Sequence, residues 1–408
     1  MDHERSSSGS CVRRFVGVMT GTSLDAIDVA VVDIGEQITL GHTTPKIVLR
    51  HFHSHAFDPA MVEALMDLQT SSDDEVHRSA LIANAYADLV GRTVLESLSL
   101  AGIRPTSIVA LGVHGQTIRH RPQLGYSMQL NAPARIAEAT GITVVSDFRS
   151  RDIAAGGQGA PLVPAFHQAI FSEQVQANQP ASGITAVVNV GGIANITWLG
   201  DPVFGYDTGP GNVLMDLWAM RHLGTPFDTD GAWAQGGTAN KGLLTAMLGD
   251  PFFGFAPPRS TGRDLFCAGW IDAFLSQSAH ANIAPQDVQA TLLRLTARSI
   301  ALEIARLESQ AMPGQRAAVS RRPCAEVLVC GGGAKNTALM AELRDELKKA
   351  CGRELDVDST QRRGWDPQVI EAAAFAWLAS RTLDGLPGNL PSVTGAIGPR
   401  VLGSITPA

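Results

Sequence analysis

No Gly-Lys dipeptide occurs anywhere in the 408 residues, which excludes a Walker-type phosphate loop. No G-x-G-x-x-G occurs either, so dinucleotide binding has no support, and without an H-E-x-x-H there is no zinc-hydrolase helix. Cysteine is scarce. Cys11, Cys267, Cys324, Cys330 and Cys351 are an odd, scattered set with no C-x-x-C spacing. That argues against a disulfide framework and structural zinc, and for reduced thiols in a cytoplasmic protein. No apolar run approaches the ~20 residues of a membrane span. Positive charge is in deficit: 32 Lys and Arg against 39 Asp and Glu leave a net −7. Nucleic acid and anionic membranes are therefore not expected as partners. A phosphate site would have to be local, built from backbone amides, a few cations or a metal ion. The opening MDHERSSSGS is polar and carries acidic charge, unlike a signal or transit peptide, and residues 1–12 are expected to be a disordered tail.

The chain is long enough for two or three domains at roughly 150 residues each. Phe15–Met19 and Ile27–Ile34 are apolar runs around Thr20-Gly21-Thr22-Ser23, the pattern of a β-hairpin with a glycine- and hydroxyl-rich turn. Ser72-x-x-Glu75 predicts a capping box opening a helix from Val76 to about Leu100, stopped by Gly102. Ile108–Val113 and Ile142–Val145 read as buried strands. The first delivers His114-Gly115-Gln116-Thr117 and the second Ser146-Asp147-Phe148-Arg149, at strand exits where α/β folds place ligands.

After the polar spacer Gln174–Ser182 the theme returns. Ala186–Val190 and Ile193–Leu199 flank Gly191-Gly192, and Tyr206-Asp207-Thr208-Gly209-Pro210-Gly211-Asn212 runs into a helix. Val327–Cys330 then feeds Gly331-Gly332-Gly333-Ala334-Lys335-Asn336, and Ile370–Leu378 is an alanine-rich helix with one acid, Glu371. The degenerate repeat favours two related α/β domains facing one cleft.

Glycine-rich turns form concave anion sites because their backbone N–H groups can approach closely. The turn Gly21-Thr22-Ser23 adds two hydroxyl donors, those of Thr22 and Ser23, with Asp25 and Asp28 nearby to hold magnesium through water. Each turn alone could be an ordinary connection. Several in one chain, with Asp-rich loops, are the layout of the actin, heat-shock ATPase and sugar kinase fold.

The string Gly17-Val18-Met19-Thr20-Gly21-Thr22-Ser23-Leu24-Asp25-Ala26-Ile27-Asp28 closely resembles the opening of the anhydro-N-acetylmuramic acid kinase family. So do residues 114–122, 146–154, 156–164, 189–195, 207–212, 260–263 and 371–379, so the resemblance spans nearly the whole chain. Departures are Thr20 for Ser, Ala26 for Gly, Tyr206 for Phe, Arg259 for Lys and Asp264 for Glu. None removes a group the chemistry needs.

The resemblance implies two RNase H-like domains flanking one cleft: 13–155 plus about 380–408, and 156–379, the second carrying the catalytic Asp and the adenosine loop. It implies that water, Mg2+ and ATP convert 1,6-anhydro-N-acetylmuramic acid into N-acetylmuramic acid 6-phosphate and ADP in peptidoglycan recycling, by a homodimer whose domains close on the substrates. Asp207 matches the family's general base, the alternative being a cap for the helix near Asn212. The turn Gly21–Asp28, with Leu24, Ala26 and Ile27, would face the phosphates opposite Gly209 and Gly211. Gly331, Gly332, Gly333 and Asn336 would hold the adenosine. Arg149 and Arg151, beside Asp147 and Asp152, would meet the sugar carboxylate, the alternative being a surface ion-pair cluster. His114, Gln116 and Glu371 are candidate sugar contacts, though a lone His is more often structural. Rival readings are a kinase for another sugar, a conformational ATPase, and a sugar-binding module without catalysis.

Overall fold

β1 (Arg13–Thr20) is apolar from Phe15 to Met19 and turns back into β2 (Ala26–Thr39), its antiparallel partner, with Gly17 opposite Ala30. The computed structural model describes residues 12–21, 24–39, 42–172, 183–257, 259–262, 265–309 and 322–408. The expected tail up to Cys11, the turn residues Thr22 and Ser23, the spacer 174–182, Arg263 and Asp264 lie outside the described residues. The chain divides into two units, Met1–Gly159 with Glu371–Asn389 and Ala396–Ala408, and Ala160–Ile370 with Leu390–Gly395.

In the first unit, β3 (His42–Ala56) extends the meander, and β4 (Ile108–Val113) lies parallel to β1 on its other side. A separate hairpin, β5 (Gln116–Arg121) with β6 (Tyr126–Leu130), follows. β7 (Val144–Ser146) then lies parallel to β4. In the second unit, β8 (Ile184–Val190), β9 (Ile193–Trp198) and β10 (Phe204–Pro210) form the antiparallel meander. β11 (Cys324–Cys330) is parallel to β8, and β12 (Asp356–Ser359) to β11. Counted within each unit, the strand order is 3-2-1-4-5 both times, with matching polarity; only the first sheet adds an antiparallel edge, β13 (Ser404–Thr406). This is the RNase H-like arrangement, duplicated. The sequence theme of two hairpins with glycine turns is its visible trace.

Side-chain alternation divides the faces of the first sheet. Val16, Val18, Val29 and Val31 pack with Tyr86, Leu89, Val90 and Val94 of the Glu75–Leu100 helix. Gly17 and Gly112 point the other way, onto the Ile370–Leu383 helix. A Cβ on Gly17 would stand 1.8 Å from the Ala372 carbonyl oxygen, and one on Gly112 would stand 2.0 Å from that of Phe375. The helix backbone therefore rests directly on the strands. Residues 371–379, expected from the sequence in the second half, belong to the first unit for this reason.

The capping box forms only in part. The long helix begins at Glu75 after Asp74, whose backbone is left-handed (φ 53°) and whose side chain makes no cap. Ser72 Oγ accepts from Arg78 instead, while Glu75 accepts from the Ser72 backbone N–H and pairs with Arg119. No helix among the described residues is long and apolar enough to cross a membrane.

Candidate active site

At the exit of β4, His114 is buried against the Phe375 ring, 4.7 Å between centroids. Arg149 donates to His114 Nε2 at 2.7 Å and to the Gly159 carbonyl at 2.6 Å. A guanidinium is always a donor, so Nε2 must be the acceptor and the ring is neutral with its proton on Nδ1. Burial, then the Arg149 charge, hold the His114 pKa well below its usual range. The sequence offered His114 as a sugar contact. Its Nε2 is engaged by Arg149 and lies 2.7 Å from Gln129 Nε2. Arg149 is itself desolvated, its pKa pulled to about 10 by burial, against Glu371 and Asp152, which raise it.

Glu371, on the first turn of its helix, is the acid of this cluster. Burial first, and the negative charge of Asp28 second, push its pKa to about 7, with Arg149 pulling the other way. Asp28 is raised too, by burial and by Asp25, although Ser54 Oγ donates to it at 2.6 Å. The Asp28 charge that raises Glu371, with Asp28 itself raised beside Asp25, makes a negative locale that a cation would relieve. Gln116 is fully buried and reaches the Gly21 carbonyl at 3.3 Å, latching the β1–β2 turn from within, while its Oε1 has no partner. Gln116 is a candidate sugar contact in the sequence, and in the structure its amide nitrogen reaches the turn. Asn131, which no sequence motif marks, has both amide atoms buried without a partner and is a further polar group suited to a ligand.

Asp147 and Arg151 stand apart from this cluster. Both are exposed. Asp147 accepts from the backbone N–H and hydroxyl of Ser150, which opens the short Ser150–Ala154 helix. Asp152 is fully buried and structural, accepting from the Gly159 N–H at 2.8 Å and the Asn389 amide at 2.6 Å.

In the second unit, Asp207 sits on β10 just before a bulge that shifts the register between Asp207 and Gly209. The bulge breaks alternation and re-aims the strand end. One carboxylate oxygen accepts from the Thr261 N–H at 2.8 Å and from the Ser260 hydroxyl at 3.1 Å. It caps no helix. Burial pushes its pKa to about 6, against the pull of the Thr261 N–H, the Ser260 hydroxyl and the Arg259 charge.

Arg259, noted in sequence only as a departure, organises the segment. It donates to the carbonyls of Asp207 (2.9 Å), Phe253 (3.3 Å) and Phe255 (3.0 Å), and pairs with Glu303 at 2.9 Å. Glu303 also accepts from the Tyr206 hydroxyl at 2.9 Å. Arg259, Ser260 and Thr261, which hold Asp207, lie 52 to 54 residues from it and leave no local signal.

The glycine turns of this unit converge at one end of its strands. The N–H groups of Gly211 and Asn212 donate to the carbonyls of Gly192 and Gly191, both at 2.8 Å, and a Cβ on Gly211 would stand 2.2 Å from the Gly191 oxygen. Gly331 follows β11 at φ 77°, with its Cβ position 2.4 Å from Asn189 Oδ1. Gly332 and Gly333 begin a short 3-10 turn. Gly209, Gly211 and Gly331–Gly333 are thus brought together. Asn336, expected on the adenosine, spends its side-chain oxygen capping the Thr337–Cys351 helix through Leu339 N–H at 2.9 Å.

Two RNase H-like units, with glycine turns fit for anions and a desolvated carboxylate at a strand end, define the class of the actin, heat-shock ATPase and sugar kinase fold. The profile described as anhydro-N-acetylmuramic acid kinase matches residues 13–408. The chain is 46% identical to the anhydro-N-acetylmuramic acid kinase of Pseudomonas putida over 396 residues, covering 97% of this chain and 99% of that one. It is 47% identical to that of Burkholderia ambifaria over 397 residues, 96% of each. Among solved structures it is similar to a ROK family glucokinase from Streptomyces griseus in complex with glucose and AMPPNP, at 14% identity and TM-score 0.37, covering 91% of this chain and 100% of that one. The chain belongs to the anhydro-N-acetylmuramic acid kinase family, and it is a kinase.

Proposed function

We propose that this kinase opens 1,6-anhydro-N-acetylmuramic acid with water and transfers the γ-phosphoryl group of ATP to its O6, giving N-acetylmuramic acid 6-phosphate and ADP. The observation that carries the reading is the Asp207 carboxylate, clamped by Thr261 and Ser260 and raised to about 6. A base with that proton affinity is ionised at neutral pH yet basic enough to take a proton from water. Water attacks the anomeric carbon and gives its proton to Asp207. The bond from that carbon to O6 breaks, and O6 takes the phosphoryl group as the bond to ADP breaks. Positioning and charge stabilisation dominate such a transfer.

Arg149, pre-oriented by His114 and Gly159, is the cation for the lactyl carboxylate, and Glu371 and Asn131 are the partners for sugar hydroxyls or the attacking water. The Gly21–Asp28 turn, Gly209 and Gly211 serve the phosphates. The adenosine side is Gly331–Gly333 together with a recess of about 300 Å3 lined by Ala234, Gly237, Leu293, Ala338 and Glu342. Asp25 and Asp28 are the residues that would hold Mg2+, which neutralises phosphate charge when bound. Cell-wall recycling in the cytoplasm, a homodimer and domain closure belong to the same proposal and rest on the family resemblance.

A substrate panel tests it. ADP release with magnesium-ATP is expected to show kcat/KM at least about 100-fold higher for the anhydro sugar than for glucose or N-acetylmannosamine, as a site built to pair specific polar groups discriminates. Comparable values for glucose would overturn the substrate assignment.

A further inference from the structure

β3 is the edge strand of the first sheet, and it carries His51, His53 and His55 at alternate positions. Their side chains therefore share one face, the face on which Val31, Val29 and Ile27, their partners on β2, enter the core beneath the Glu75–Leu100 helix. That helix brings Glu96 to the histidines. Its carboxylate oxygen lies 3.7 Å from His53 Nε2 and 3.8 Å from His55 Nδ1, and the three atoms all lie within 4.8 Å of one another. These separations are too long for hydrogen bonds. His53 Nε2 is buried and has no hydrogen-bond partner, so the cluster does not satisfy itself.

We propose that His53, His55 and Glu96 bind one divalent transition-metal ion of the zinc class, at a site separate from the nucleotide's magnesium. Two imidazoles and one carboxylate are a zinc donor set, and imidazole selects such ions over magnesium. Bonds of the usual length set tetrahedral ligand atoms roughly 3.4 Å apart, so the observed triangle needs only a small closing movement. Glu96 and His55 can supply it, since their side chains are 50% and 40% exposed. That exposure also leaves the fourth position to water. The ion ties the edge strand to the helix, and none of its ligands takes part in the phosphoryl transfer proposed above.

The test uses the tag-free full-length chain. Cobalt titration followed by visible absorption, and zinc affinity by competition with a chromophoric chelator, should show one ion per chain, with zinc raising the melting temperature. His55→Gln and Glu96→Gln alter exposed side chains and should keep the metal-free melting temperature. Each should weaken zinc at least about tenfold, a loss no smaller than that from removing a supporting partner of a ligand. The rate of ADP release with the anhydro sugar should be unchanged in both. Absence of stoichiometric binding, or equal zinc affinity in the His53→Gln/Glu96→Gln double variant, would overturn the proposal.

Discussion

Asp207→Asn is expected to lower kcat by at least about 1,000-fold, toward the upper part of the range for removing a general base, without loosening the fold. The amide keeps an oxygen for the Thr261 N–H and the Ser260 hydroxyl, so the geometry of the strand end survives. Stability should move the other way from activity. The folded pKa of about 6 lies above the ordinary carboxylate value, so the folded state binds the proton more tightly than the unfolded chain. The stabilising contribution is complete below the unfolded pKa and is lost as pH rises through about 6. At pH 7.5 the ionised group is a net cost, and Asn removes it; the melting temperature should stay level or rise. The same pKa sets a kinetic limb. Wild-type kcat/KM should fall below pH about 6, and that limb should vanish from the residual activity of the variant. A variant with near wild-type kcat would remove Asp207 from the chemistry.

Arg259→Ala is expected to be the most damaging single change to stability in the second unit, at about 3–5 kcal/mol, the loss typical of orphaning one partner of a buried ion pair. Both side chains of the pair are nearly enclosed, Arg259 at 4% exposure and Glu303 at 8%. Removing the guanidinium strands Glu303 next to the Tyr206 hydroxyl and frees the carbonyls of Asp207, Phe253 and Phe255 together. A fall of about 10 °C or more in melting temperature follows for a unit of this size. Arg259→Lys retains the charge for Glu303, but a point-like ammonium cannot reach three carbonyls at once. It should therefore recover much of the stability while leaving kcat below wild type. Melting temperatures of the two variants within 2 °C of wild type would show that the clamp is dispensable.

Which parts of this architecture could be read from the chain follows from how far apart the interacting residues lie. The hairpins around Gly21 and around Gly191-Gly192 are local objects, apolar runs bounded by turn residues, and both appear where expected. β4 delivers His114 as its apolar run predicts. The home of the Ile370–Leu383 helix was hidden, because its determinant is the missing Cβ of Gly17 and Gly112, more than 250 residues away. The contact of His114 with Arg149 was hidden too, since only the folded chain shows that Arg149 reaches its Nε2. The Arg149 loop was legible as a cation cluster, yet of its two arginines Arg149 turns inward and Arg151 is exposed, while Asp147 is used by Ser150. The Asp207 clamp joins two segments with no shared motif. For the substrate, the family strings carried what residue chemistry alone left open between one sugar and another.

The most direct measurement is mass spectrometry of the sugar product formed in 18O-labelled water with magnesium-ATP. The expected product has gained one phosphate and one 18O, the label at the anomeric carbon, with both gains lost together in Asp207→Asn. Phosphate gained without 18O, or ADP formed while the sugar stays unchanged, would contradict it.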